Sequence, residues 1–130
     1  MDRQTPYRDG QLFAVPVAAA TEHFGGHIVS ANAAGFAVPG SATAANVTLG
    51  ICDGWVDNSA GLAGDASVLV RRGKAWFLAN STADPVTQAQ AGRDCYVVDS
   101  QTVAKTSDTN ARPVAGKVLG LEGDGVWVLI

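Results

Sequence analysis

Short runs of alternating apolar and polar side chains, each closed by glycine, asparagine or proline, recur along the chain. A period of two belongs to strands rather than helices. In "ASVLVRRGKAWFLANS", residues 66–81, alternation breaks at Arg71, Arg72, Gly73 and Lys74 and resumes through Trp76 and Leu78. The pattern predicts a β-hairpin with Gly73 at positive φ and Arg71, Arg72 and Lys74 on a solvated tip. "HIVSAN" and "GFAVPG", joined by "NAAG", predict a second hairpin. "VAGKVLGLEGDGVWVLI" predicts a terminal one turned at Gly123, Asp124 and Gly125.

The remaining segments extend the same picture. "QLFAVPVAA" begins a strand in which Pro16 removes a ladder donor, so it belongs at a sheet edge or a strand end. "VTLGICDGWVDN" reads as a strand interrupted by Gly50 and Gly54, which mark bulges or bends. "DCYVVD" and "QTVAKT" are further short strands, and "SATAAN" and "SDTNARP" are loops. The one helical signal is "STADPVTQAQAG", with Asp84 as N-cap, Pro85 at the first position and Gly92 as stop. Residues 1–10, "MDRQTPYRDG", lack alternation and read as an extended arm ahead of a single β-rich domain, residues 11–130. The expected fold is all-β: a small barrel or sandwich of short antiparallel strands with one short helix and an extended N-terminal arm.

Composition adds a constraint on the surface. Charged residues make up only 16% of the 130, against about 25% in ordinary soluble domains, while 47% are hydrophobic. A surface so thin in charge is expected to be covered in part by other subunits, which favours a homotrimer or another closed oligomer. The net charge of −3 and the scattered Lys and Arg argue against nucleic acid as a partner, because phosphate binding rests on clustered cations. A polar opening and the lack of a long apolar run argue against a membrane and place the chain in the cytoplasm. Cys52 and Cys95 have no CxxC or Cys/His spacing and are expected as buried free thiols.

Candidate chemistry is sparse. "GLAGDA" and "GLEGDG" lack the spacing of phosphate-binding loops and read as turns. "EGDGVW" offers only Glu122 and Asp124 as oxygen ligands, too few for calcium. His23 and His27 flank Gly25 and Gly26 without a third metal ligand, and are expected at a loop and a strand start. No spacing supports a nucleophile such as Ser59 or Cys52 working with a histidine and Asp53. No enzyme activity, catalytic residue, cofactor or metal is therefore expected. Trp55, Trp76 and Trp127 fall in alternating strands and are expected mainly as core. A sugar-stacking platform is the alternative, and with it a carbohydrate-binding virion surface module.

The segments "TPYRDG", "FAVPVAAAT", "GFAVPG", "VDNSAG", "VRRGKAWFLANS", "ADPVTQAQAGRDCYVVD" and "GVWV" resemble, in order and wording, the capsid decoration proteins of tailed phages and prophages, also called head-stabilising or cement proteins. The likeness covers nearly the whole chain. It implies a β-rich domain that assembles on the outer surface of an icosahedral head, commonly as trimers at local three-fold positions, after synthesis in the bacterial cytoplasm. The implied partners are the major capsid protein and further copies of the chain. No binding motif of the family carries over residue by residue. From the residues themselves, the arm is expected to lie along the capsid protein or an adjacent subunit, with Tyr7 as anchor beside Pro6 and Arg3 and Arg8 as polar contacts. Arg71, Arg72 and Lys74 are expected as further loop contacts.

Overall fold

The computed structural model describes residues 1–6, 8 and 10–130. The alternating runs fold as β1 Leu12–Pro16, β2 Thr21–His23, β3 Ile28–Ala31, β4 Ala37–Pro39, β5 Val47–Cys52 and β6 Val56–Asn58. They continue as β7 Ser67–Arg71, β8 Ala75–Asn80, β9 Asp94–Val97, β10 Thr102–Ala104, β11 Val114–Glu122 and β12 Gly125–Leu129. The fold is all-β. The later strands close a barrel in the order β10-β8-β12-β11-β9, the earlier ones form an open sheet in the order β1-β7-β5-β3-β4, and β2 and β6 make a two-stranded ribbon. The strand pairs are antiparallel except β10 with β8, which run parallel.

Two cores share one wall. Ile28 and Ile51, opposite each other on β3 and β5, are buried with Leu78, Val97, Val118, Val126 and Val128 in the barrel core. The next residue on each strand, Val29 and Cys52, is buried with Val17, Ala37, Val68 and Val70 in the second core. Successive side chains on a strand point to opposite faces, so consecutive apolar pairs are what a strand buried on both sides requires. Ser30, fully buried on the same wall, has a hydroxyl with no hydrogen-bond partner among the described residues.

The hairpins expected at the "NAAG" reversal and at the C-terminal end form, as β3–β4 and β11–β12. Asn32 Oδ1 accepts from the backbone N–H of Ala34 and of Phe36, both at 3.0 Å, which folds the first reversal. Pro16 closes β1, the edge strand of the open sheet, where a missing donor costs least.

Two expectations are corrected. Residues 66–81 contain two strands and no hairpin: β7 pairs with β1 and β5, whereas β8 pairs with β12 and β10. Both edges of each strand are already taken, so the turn carries the chain from the sheet into the barrel. Gly73 does adopt positive φ there, +82°. The second correction is the helix, which shrinks to a single 3-10 turn at Gln88–Gln90 with Thr87 at its N-cap. The side chain of Asn80 occupies both backbone groups of Val86, accepting from its N–H at 2.8 Å and donating to its carbonyl at 2.9 Å. Asp84, the expected cap, instead accepts from Thr106 Oγ1 at 2.6 Å and Arg112 Nη1 at 2.9 Å. Tertiary bonds on both sides thus hold residues 84–87 out of a helix.

The bulge expected at Gly50 is present: pairing between β3 and β5 shifts between Val29 opposite Gly50 and Ser30 opposite Thr48. A Cβ on Gly50 would collide with the backbone carbonyl of Arg71 and approach Val70 Cγ1 to 2.8 Å, whereas a Cβ on Gly54 meets no atom within 4 Å. Gly50→Ala is therefore expected to destabilise the fold by about 1–3 kcal/mol, because the neighbouring atom is backbone and cannot swing away. Gly54→Ala should change stability by less than about 1 kcal/mol. Chemical denaturation of the two variants measures the contrast.

Candidate functional site

Arg3, Pro6 and Arg8 are exposed, and Tyr7 lies outside the described residues. Among the expected loop contacts, Arg71 is committed internally. Its Nε donates to Asp53 Oδ1 at 2.9 Å and its Nη2 to Asp53 Oδ2 at 3.4 Å, and these bonds hold the Asp53 carboxyl below its usual range. Arg72 and Lys74 are exposed and take part in no ion pair among the described residues. The expected tip therefore reduces to two available cations.

The tryptophans divide. Trp76 packs half-buried against the barrel core, as expected. Trp55 and Trp127 are corrected from core to surface, at 63% and 37% exposure. Strand parity explains Trp127: Val126 and Val128 point into the barrel, so the residue between them points out. Phe77, between Trp76 and Leu78, is turned out for the same reason and is 50% exposed. Trp55 lies between β5 and β6, where its indole N–H donates to Glu22 Oε1 at 2.7 Å.

Phe77 and Trp127 stand opposite each other across β8 and β12. Their ring centroids are 5.1 Å apart and the planes are inclined by 54°, so the rings touch as a tilted pair and present one aromatic surface that walls a notch. Trp127 Nε1 donates to Glu122 Oε2 at 2.9 Å, fixing the indole against β11. Against the phenyl ring lies Gly125, where a Cβ would collide with Cζ and both Cε atoms. Glycine at this position is what lets Phe77 lie down on the strand. With Ala79, Gly123 and Asp124 these residues line an open cavity of about 770 Å³. A second groove, about 710 Å³, runs between sheet and barrel past Val47, Tyr96, Val114 and Leu129. Beside it Asp108, Thr109 and Asn110 hold consecutive positive φ values of 50°, 57° and 64°. Such a left-handed turn costs roughly 1–2 kcal/mol per residue. The Asn110 N–H bond to Ser107 Oγ and the Arg112 N–H bond to the Ser107 carbonyl bridge it.

The residues considered for nucleophilic chemistry have their side-chain partners elsewhere. His27 Nδ1 lies 2.9 Å from Ser100 Oγ, Cys52 Sγ donates to the Gly54 carbonyl, and Asp53 holds Arg71. His23 ends β2 and is buried, with Nε2 3.3 Å from the Ala37 carbonyl. Burial pulls its pKa below the ordinary value, against the weaker opposing effect of that bond. Cys52 and Cys95 are free and buried, as expected, and desolvation raises both thiols, Cys95 to about 11. Among the described residues no three His, Cys, Asp or Glu side chains are grouped to hold a metal ion, and no helix is long and apolar enough to cross a membrane.

Compared with protein-family models, with curated proteins and with solved structures, the chain gives no significant match in any of the three.

His23 generates a pH prediction. Its folded pKa is depressed, so the unfolded chain takes up a proton first as pH falls below the ordinary value of 6.5, and stability drops from that point down to the folded pKa. Asp53, Asp57 and Asp84 are also depressed, but their contribution is lost only as pH falls below 3.8, a separate window. Melting temperature should therefore decline as pH falls below 6.5, and His23→Gln should flatten that slope. An unchanged slope in the variant would assign the decline to other groups. For the thiols, a disulfide-exchange reagent should react slowly with native protein and find two free groups after denaturation.

Proposed function

We propose that this chain decorates and stabilises an icosahedral phage head by binding the assembled lattice of the major capsid protein, on the outer surface of the virion. The observation that carries the reading is the end of the open sheet. Strand β1 pairs on one side only, with β7, and leads back directly into the exposed residues 1–6 and 8. It presents exposed Leu12 and Phe13 and has no charged side chain. Pro16 guards only the end of this edge, and the uncharged run Leu12–Val15 before it is a surface for pairing with another chain. The order and wording of the segments resembling decoration proteins support the same reading.

The physics of the task suits such a protein. A clamp that binds only the assembled shell stabilises it by mass action, and repetition over a closed lattice multiplies modest single-site affinities. Area and rigidity are required, and a barrel braced against a second sheet supplies both. A carbohydrate-binding virion module is the second reading, favoured by the exposure of Trp55 and Trp127. Binding of the isolated protein to a glycan array would select it.

The deciding experiment is binding of the purified chain to emptied heads built of the major capsid protein it accompanies. Deleting residues 2–9 should leave the melting temperature nearly unchanged and weaken attachment by about tenfold or more, which is about 1.4 kcal/mol. Full-length protein that fails to bind heads would overturn the reading. Undiminished binding by the truncated chain would move the contact from the arm to β1 and the loops.

A further inference from the structure

The notch lined by Phe77, Trp127 and the β11–β12 turn has a lining of unusual one-sidedness. Its polar side chains are Glu122, Asp124 and the Trp127 indole, and the indole N–H is already spent on Glu122. What remains is two carboxylates and two aromatic faces: acceptors and π-density, with no free side-chain donor. Neither carboxylate belongs to an ion pair among the described residues, whose pairs are Arg71–Asp53, Arg112–Asp84 and Lys117–Asp94.

That chemistry selects its ligand. A sugar hydroxyl is donor and acceptor at once and would find only acceptors among these side chains. A guanidinium has five donors and no acceptor, is planar, and stacks on an aromatic face while bonding a carboxylate through its edge. A lysine ammonium matches the charge but has no planar face to lay on an aromatic ring.

We propose that the notch binds the guanidinium of Arg3 on the N-terminal arm of a second copy of this chain. Among the described residues none of the chain's own arm lines it, and Arg3, Gln4, Thr5 and Pro6 line a separate cleft. The arm is tethered at Gln11, whose carbonyl accepts from the Arg72 N–H at 2.9 Å. Arg8 is therefore kept near its own domain, whereas Arg3, eight residues from the tether, reaches about 26–29 Å when extended. Arg3 has the charge and the reach to bridge from one copy to the next. The contact concerns copies of this chain alone and stands whether or not the protein sits on a capsid.

The test is self-association of the full chain, measured by analytical ultracentrifugation over a concentration series at low and high salt. The expected result is reversible association that weakens with salt. Arg3→Gln and the double variant Glu122→Gln/Asp124→Asn should each weaken it by about tenfold. Combining all three changes should add little, because either side alone removes the same contact. Arg8→Gln should have no effect. Mixing Arg3→Gln copies, which keep the notch, with notch-variant copies, which keep the arm, should restore part of the association and so place the contact between chains. Unchanged melting temperatures exclude misfolding. The proposal is overturned by a strictly monomeric chain, by association indifferent to Arg3 or to the two carboxylates, by an equal effect of Arg8→Gln, or by failure of the mixture to associate. A change in tryptophan fluorescence of the Arg3→Gln protein on adding a hexose, reversed by Trp127→Ala, would assign the notch to a saccharide instead.

Discussion

Burial of β3 and β5 on both faces is the constraint on which the rest of the molecule depends. Ile28 and Ile51 close one side of the barrel core, and Val29 and Cys52, one residue along, floor the second core. Neither core is complete without the wall, so barrel and sheet stabilise each other. A one-residue slip in either strand would exchange the two sets of side chains and disturb both cores together. The glycine at position 50 belongs to this constraint, since the bulge it permits lets β5 approach the Arg71 carbonyl while keeping Ile51 and Cys52 on their separate faces. The wall also ties the arm to the barrel, because β5 pairs with β7 and β7 with β1.

With the interior of the barrel filled largely by valines, the bulky side chains that parity sends outward have nowhere to be buried within the chain. Phe77, Leu119, Trp127 and Leu129 are all exposed on β8, β11 and β12. Scattered apolar residues on a surface are ordinary, but contiguous ones on neighbouring strands are a site of interaction or a hazard. The low charged fraction of the sequence is the same fact seen in composition.

Much of the architecture was legible in the sequence because local chemistry decides it. Alternation marked most of the strands, Asn32 and Gly123 marked the reversals, and Pro16 marked an edge. Pairing across distance was not legible. The run 66–81 looks like a hairpin because each half is a sound strand and the turn residues are right. Which edges are already occupied is decided by β1, β5, β10 and β12, far away in sequence. The helix over 84–92 failed for a related reason: its capping residues were sound, but Asn80 and the 105–112 loop bid for the same backbone and the same Asp84. The outward tryptophan had a readable signal in "GVWVL", where valines on both sides of Trp127 claim the inner face. Trp55, which follows a strand rather than lying within one, had none. The left-handed turn at 108–110 contains no glycine: Asp108 and Asn110 are types that tolerate positive φ, but Thr109 between them gave no signal.

The placement of polar groups on the outer face bears on what the aromatic pair can accept. An exposed aromatic pair alone would attract any apolar surface, which favours aggregation as readily as assembly. Glu122 and Asp124 at the rim change that balance, because an apolar partner that covers them must strip their water without returning a hydrogen bond. A cationic, donor-rich group satisfies them and covers the rings in the same step. The carboxylates thus act as a filter on what the aromatic surface accepts, a use of charge for specificity rather than for affinity. Two carboxylates on one turn bias an otherwise apolar face against purely apolar neighbours.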